Sequence, residues 1–399
     1  MESIRDKVAI VGMGCTKFGE HWNKGVEDLL VEAAYEAFQD AGIEPKDIQA
    51  AWIGTVFSGL SAITLAPLNL QYIPITRVEN MCATGSEALR AASYAVAAGA
   101  CDIALAIGVE KLKDTSATGV KGPSCVGDNA DGTSGIGPGY SAPASFAYMA
   151  SRYFSEYGLK PEEGKKLLAE IAVKNHYNGS LNPKAHFNNR LTVEQVVKAP
   201  VVAWPLGLFD CCGVSDGAAA AIVVRADMAK NFRDDPLYIK ALSICVGARQ
   251  GAIRQDYDFV HLEENVRASR KAYEDAGVTD PRKEISVAEV HDCFTIHEMI
   301  VYEDLGFSKR GRAREDIEAG SFTLAGDLPV NADGGLKCFG HPLGASGLRM
   351  MYEVYQQLRG KAGPRQIKNP RLGLTHNLGG NAGTGIASCF IVGNEKSSG

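Results

Sequence analysis

The sequence predicts an α/β fold of two similar halves with a segment inserted between them, and three observations carry that prediction. Apolar runs of strand length alternate with helical patterns from the N-terminus onward, as buried sheets joined by helices require. Two pairs of segments recur in the same order along the chain, the mark of a duplicated unit. Between the copies lies a stretch of different composition, opening in Gly, Ser, Asn and Pro and turning helical over Tyr153–His176. The boundaries that follow are 1–117 for the N-terminal half, 118–214 for an inserted loop region, 215–235 for completion of the first half and 236–399 for the C-terminal half.

The elements follow in order. Lys7–Val11 reads as a strand and Val26–Ala41 as a helix, with Leu29, Leu30, Ala33, Ala34, Ala37 and Phe38 on one face and Gly42 as a C-cap. Ala51–Val56 is a strand, Ser86–Ala98 a helix and Ile103–Gly108 a strand. The inserted segment carries Lys160, Lys165, Lys166, Lys174, Lys184 and Arg190 and is expected on the surface of the first half, whose sheet resumes at Ser215–Val224. Val31–Gly42 (VEAAYEAFQDAG) lines up with Val266–Gly277 (VRASRKAYEDAG). Cys82-Ala-Thr-Gly85 with Leu89-Arg90 lines up with His341-Pro-Leu-Gly344 with Leu348-Arg349, at one constant offset.

Composition narrows the function. The 399 residues, 45% hydrophobic and 22% charged, suffice for a large core without staples. A formal net charge of −6 argues against nucleic-acid binding. No apolar run approaches the roughly 18 residues of a membrane span. The start of the chain lacks a basic region followed by an apolar stretch, so no secretory signal is expected and the cytoplasm is the expected compartment. Ten cysteines include no C-x-x-C pair, which removes the common zinc and thioredoxin patterns and leaves reduced thiols, most of them packing groups.

Position in the repeat selects the reactive ones. Cys82 stands just before a helical run of small residues, where the macrodipole and unpaired N–H groups favour a thiolate and can hold an oxyanion. His341 takes the equivalent place in the second copy, with Pro342 suited to a first helical turn. If the halves pack about a pseudo-twofold axis, the two helix starts meet and make a nucleophile and base pair. His291-Asp-Cys-Phe294 ends the expected strand Val287–Val290, where α/β proteins bind ligands. Thr375–Gly385 is a glycine-rich turn after a strand, able to bring backbone N–H groups close to a ligand. A metal held by His291, Cys293 and His297 is a weaker alternative, because the spacing lacks a second ligand pair. So is a phosphate cradle in the glycine turn, whose spacing fits no nucleotide fingerprint.

Together these elements resemble the thiolase superfamily, in particular the branch containing the thiolase domain of sterol carrier protein, over essentially the whole chain. The segments that carry the resemblance are His291–Phe294, Gly340–Gly347, Gly108–Leu112, Ala169–His176, Asn182–Ala185 and Val214–Ala219. The resemblance implies two βαβαβαββ halves in five α-β-α-β-α layers. It implies Cys82 as the acylated nucleophile, His341 as its activator and Cys293 as acid/base. His291 stands in the place of an asparagine of the degradative and biosynthetic enzymes, and Asn377-Leu-Gly379 occupies the place of their Cys-x-Gly motif. It also implies an oxyanion hole from the backbone of Cys82, Gly379 and Gly380, and coenzyme A as cosubstrate with no other cofactor and no metal. CoA and substrate contacts are expected from Lys174, Lys184, Arg190, Cys338 and Asn377. The expected partners are a second copy, forming a homodimer core, and a small OB-fold/zinc-ribbon subunit, with neither nucleic acid nor membrane.

The implied reaction is cleavage of a 3-oxoacyl-CoA by CoA. The substrate alternatives are 2-benzoylsuccinyl-CoA, giving benzoyl-CoA and succinyl-CoA, and acetoacetyl-CoA. Rival readings are a condensing-only synthase, against which Cys293 speaks, a retro-aldolase, against which Cys82 speaks, and a noncatalytic acyl-CoA- or lipid-binding subunit.

Overall fold

A computed structural model describes residues 3–58, 62–114, 141–253, 256–381 and 383–397. Cys125 and the opening of the inserted segment lie outside the described residues. The first half runs β1 (Val8–Cys15), α1 (Val26–Ala41), β2 (Ala50–Gly54), β3 (Ile75–Val78), α2 (Thr84–Ala97) and β4 (Ile103–Glu110). The insertion supplies α3 (Ala142–Glu156), α4 (Pro161–Gly179), α5 (Val193–Val197) and the hairpin β5 (Val201–Ala203) and β6 (Leu206–Gly207), after which β7 (Gly217–Arg225) closes the half. The second half runs β8 (Leu237–Val246), α6 (Gln250–Ile253), α7 (Glu263–Ala276), α8 (Pro281–Glu284) and β9 (Val287–Val290). It continues through α9 (Thr295–Asp304), α10 (Ala313–Glu318), α11 (Gly335–Phe339), α12 (Leu343–Leu358), β10 (Leu372–Gly379) and β11 (Ile386–Gly393).

Among the described residues nine strands form one mixed sheet in the order β3-β2-β4-β7-β1-β8-β11-β10-β9. The order is symmetric about the β1/β8 seam, which is a short antiparallel contact at Ala9↔Tyr238 and Ile10↔Leu237. A parallel bridge from Ala288 to Val330 stands where β3 stands in the first half. β1 is buried along its whole length, so its alternating side chains serve two cores. Ala9 and Val11 pack with Leu29, Leu30 and Phe38 of α1, whereas Val8, Ile10 and Met13 pack with Leu89 of α2 and Leu348 of α12. A third core joins Ala268 and Ala272 of α7 to Leu374 and Ile391. The layers are therefore α1, the first half's strands, α2 with α12, the second half's strands, and α7. Gly12 and Gly14 let β1 approach α1: a Cβ on Gly14 would lie 2.0 Å from the Ala33 carbonyl oxygen. No described helix is long and apolar enough to cross a membrane.

Two expectations need correction. The helical stretch Tyr153–His176 is two helices, because Gly158 takes a left-handed φ of 65° and Pro161 starts a new first turn. The insertion also does not ride on the first half alone. Phe146, Met149, Tyr153 and Phe154 of α3 and Leu168 and Ile171 of α4 share a core with Ile296, Met299 and Ile300 of α9, which belongs to the second half. Every residue of α9 is buried, so that helix needs apolar cover on all sides and the insertion provides it.

Candidate active site

α2 and α12 cross where only glycine fits. A Cβ on Gly85 would stand 2.7 Å from the Gly344 carbonyl oxygen, and one on Gly347 would stand 2.5 Å from the Ser86 nitrogen. This close crossing brings the two helix starts together. Each start is preceded by a residue in the left-handed region, Met81 at φ 52° before Cys82 and Gly340 at φ 78° before His341. The two turns thus share a positive-φ residue immediately before Cys82 and His341. His341 is further fixed by its own N–H, which donates to the Gly213 carbonyl at 3.1 Å.

Cys82, half-buried, and the buried or nearly buried His291 and His341 hold a sulfur and two ring nitrogens all within 4.8 Å of one another. His291, Cys293 and His297 form a second such group. The hydrogen bonds assign the tautomers of the two central imidazoles. Ser346 Oγ lies 3.1 Å from the Pro342 carbonyl and 2.8 Å from His341 Nδ1, and with its hydroxyl given to the carbonyl it accepts from Nδ1. The His341 proton therefore sits on Nδ1, and Nε2 offers a lone pair. That Nε2 is buried and has no hydrogen-bond partner among the described residues. At His291 the arrangement is reversed. Ser86 Oγ donates to Asn377 Oδ1 at 2.8 Å, which turns the Asn377 amide N–H toward His291 Nδ1 at 3.4 Å and leaves the His291 proton on Nε2. The two rings stand 5.0 Å apart and nearly perpendicular.

Burial keeps both rings neutral. It pushes His341 down to about 3, with the Arg349 cation adding to the effect. His291 is held far below the usual histidine range by burial and then by His341, His297 and His376. Cys293 is driven well above the ordinary thiol range, first by burial and then by the neighbouring sulfurs of Cys212 and Cys82. The Gly379–Gly380 turn abuts the nucleophile: a Cβ on Gly379 would lie 2.5 Å from the Asn80 carbonyl and 3.1 Å from the Cys82 nitrogen, and Gly380 has φ 95°. A cysteine sulfur, two histidine rings and a second, buried thiol thus meet at the junction of the two repeated halves.

Residues 8–227 match the model of the thiolase N-terminal domain, and residues 246–391 match that of the thiolase C-terminal domain-like family. The chain belongs to the thiolase family. It is an acyltransferase. An acetyl-CoA acetyltransferase of Methanothermobacter thermautotrophicus is 41% identical over 97% of this chain and 100% of its own length. Sterol carrier protein 2 of Gallus gallus is 34% identical over 94% of this chain and 70% of its own. Among solved structures, an Ltp2-ChsH2(DUF35) aldolase superposes with a TM-score of 0.83 at 25% identity, covering all of both chains.

The thiolase's remaining expected contacts lie elsewhere. The Lys174 ammonium donates to Glu298 Oε1 at 2.6 Å and to the Val330 carbonyl at 2.7 Å. Lys184 pairs with Glu36 at 2.7 Å and with the Cys15 carbonyl. These two lysines neutralise internal acceptors instead of facing a phosphate. Arg190 is exposed, stacked 4.7 Å over the Tyr177 ring. Cys338 is buried on α11 with its sulfur 3.3 Å from the Asn175 carbonyl, and Asn377 orients His291 as described above.

Sequence reasoning passed over Ser346 and Ser86, which fix the tautomers, and Met81, whose positive φ nothing in its side chain announces. It also passed over the anchoring of the His291–Phe294 segment. Asp292 accepts the N–H groups of Leu336 and Lys337 at 2.6 and 3.1 Å and an amide N–H of Asn175 at 2.9 Å, and burial raises it to about 7. His297 Nδ1 donates to the His291 carbonyl at 2.6 Å. The Ser346 signal was present in the sequence, as a hydroxyl one helical turn past His341.

Proposed function

We propose that this thiolase cleaves a 3-oxoacyl-CoA with CoA through an acyl group carried on Cys82. The observation that carries the reading is the Cys82, His291 and His341 cluster with opposite tautomers on its two rings. His341 Nε2 takes the Cys82 proton, and the sulfur attacks the 3-oxo carbon, whose oxygen becomes an oxyanion met by backbone N–H groups of Cys82 and the Gly379–Gly380 turn. The C2–C3 bond breaks as the carbonyl re-forms. The shortened acyl-CoA leaves as an enolate, steadied at its thioester oxygen by His291 Nε2–H, and takes its proton from Cys293. CoA then enters, Cys293 recovers a proton from the CoA thiol, and the CoA sulfur displaces Cys82 from the acyl group. The sequence needs CoA as cosubstrate and calls on no metal or other cofactor.

Acetoacetyl-CoA is the first substrate to test, on the strength of the two archaeal relatives named acetyl-CoA acetyltransferase at 41 and 42% identity. 2-Benzoylsuccinyl-CoA, and with it a place in aromatic degradation, is the second reading. The reading divides the chain at 1–117, 118–214, 215–235 and 236–399 and gives CoA the face of the insertion, where Arg190 is the exposed cation among the three basic residues assigned to it. It takes the cytoplasm as the compartment and a homodimer as the core. A small OB-fold/zinc-ribbon partner belongs to it as well, supported by the second component in the name of the Ltp2-ChsH2(DUF35) neighbour.

The test is thiolysis of acetoacetyl-, longer 3-oxoacyl- and benzoylsuccinyl-CoA with product masses read directly, together with the mass of the Cys82 peptide after incubation without CoA. An acyl adduct on Cys82 supports the mechanism. Label on another cysteine, or none with any substrate, overturns it. Copurification with a small subunit, set against full activity of a lone homodimer, decides the partner.

A further inference from the structure

The mechanism leaves one thiol beside the site unused. Cys211 and Phe294 form an isolated antiparallel bridge between the insertion's last turn and the loop ahead of α9. That register sets Cys212 directly opposite Cys293, and the Cys212 N–H donates to the Cys293 carbonyl at 2.8 Å. Directly opposed residues of an antiparallel pair have Cα atoms about 4.5–5.5 Å apart and side chains on the same face. A disulfide needs a Cα separation of about 4.4–6.8 Å, and the spacing of an opposed antiparallel pair falls within that range. The sulfurs already feel one another: Cys212 acts on Cys293, and Cys82 acts on both.

We propose that Cys212 and Cys293 are an oxidative modification site, closing into a reversible intrachain disulfide when the protein meets a hydroperoxide. One thiol, as its thiolate, attacks the peroxide oxygen, giving a sulfenic acid and releasing an alcohol, or water from hydrogen peroxide. The second sulfur attacks the sulfenic sulfur and expels water, so two thiols and one peroxide yield one disulfide with the peroxide reduced. Burial raises both thiols, Cys212 to about 12, so the pair stays reduced and protonated at rest and closes only under sustained oxidant. Half-burial of Cys211, Cys212 and Cys82 leaves the pair a route to solvent. Because Cys293 is the acid/base of the function proposed above, and the consequence for turnover rests on that reading, the disulfide halts turnover without touching the nucleophile.

The experiment treats the purified full-length protein with hydrogen peroxide, blocks remaining thiols, digests with trypsin and maps cross-links. The expected product joins the peptide 199–225, which holds Cys211 and Cys212, to the peptide 284–309, whose one cysteine is Cys293, with loss of two hydrogens. Thiolysis activity is expected to fall at least tenfold and to return with dithiothreitol. Cys212→Ser should lose the cross-link and keep its activity through the same treatment, while Cys211→Ser should behave as the parent protein. A cross-link from Cys82, no cross-link at all, or a link that survives Cys212→Ser overturns the proposal. The cross-link map on the unmutated protein requires no variant to fold and no substrate. If Cys293→Ala turns over normally while the cross-link forms, the acid/base assignment fails and the modification site stands.

Discussion

The start of α2 and the start of α12 occupy matching places in the repeat and carry different side chains. In both, a left-handed residue throws the next side chain toward the junction of the halves, and a helix begins immediately after. At the first start the side chain is Cys82, half-buried and reachable by substrate. At the second it is His341, buried and braced by Ser346, with its lone pair turned inward. The left-handed residue differs too. Gly340 has no alternative, since a Cβ there would meet Ser215 Oγ at 2.0 Å. Met81 accepts a conformation that costs a side-chain-bearing residue about 1–2 kcal/mol. A duplicated scaffold thus provides two equivalent positions, one holding a cysteine and the other a histidine, to which the proposed mechanism gives the nucleophile and base roles.

Breaking the comparison at Cys82 has the largest expected effect. Cys82→Ala should lower kcat/KM by about 10⁴-fold or more and abolish the acyl adduct, because it removes the thiol that carries the acyl group in the proposed mechanism. A variant that retains turnover would remove the premise. His341→Asn should cost about 10²- to 10⁴-fold, the usual range for a general base, with the loss concentrated in the rate of Cys82 acylation measured in a single turnover.

The neutral state of His341 sharpens the comparison through pH. Its folded value of about 3 lies below the ordinary 6.5, so between those limits the unfolded chain binds the extra proton. Its contribution to stability is complete above pH 6.5 and is lost as pH falls toward 3, at up to about 1.4 kcal/mol per pH unit. Buried carboxyls raised in the fold, such as Asp292 and Asp304, work in the opposite sense over part of this window, so the readout must be a difference. Urea unfolding of the parent and of His341→Asn from pH 7 to pH 4 should show the parent losing stability relative to the variant; parallel curves would contradict a neutral His341.

Ser346→Ala frees the imidazole to take the wrong tautomer and should cost about tenfold in kcat/KM while leaving KM nearly unchanged, the loss of about one hydrogen bond's positioning. The smallest effect belongs to Met81→Gly. Relief of the left-handed strain is offset by glycine's greater freedom in the unfolded chain, so stability should move by no more than about 1 kcal/mol in thermal unfolding. A loss of several kcal/mol would show that the Met81 side chain, not the turn, holds Cys82 in place.

Much of this was legible in the chain because it was local or repeated. Helix periodicity and Gly42 set α1, the matching Gly277 set α7, and the constant offset between Cys82 and His341 announced that two helix starts correspond. What was not legible is long-range. The docking of α3 and α4 on α9 depends on apolar faces that any core could have covered. Lys174 and Lys184 read as surface cations, and only the fold shows that Glu298 and Glu36 had claimed them.

The sequence by itself determined most of the elements and the duplication, and placed a cysteine and a histidine at matching positions, since these follow from periodicity and side-chain chemistry along the chain. Tertiary structure alone decided which nitrogen of each histidine holds its proton, because that depends on Ser346, Ser86 and Asn377 arriving from α12, α2 and β10. It alone decided that Cys212, a packing residue by sequence, faces Cys293, because a register across 81 residues of chain is fixed only when both strands are seated on the same core.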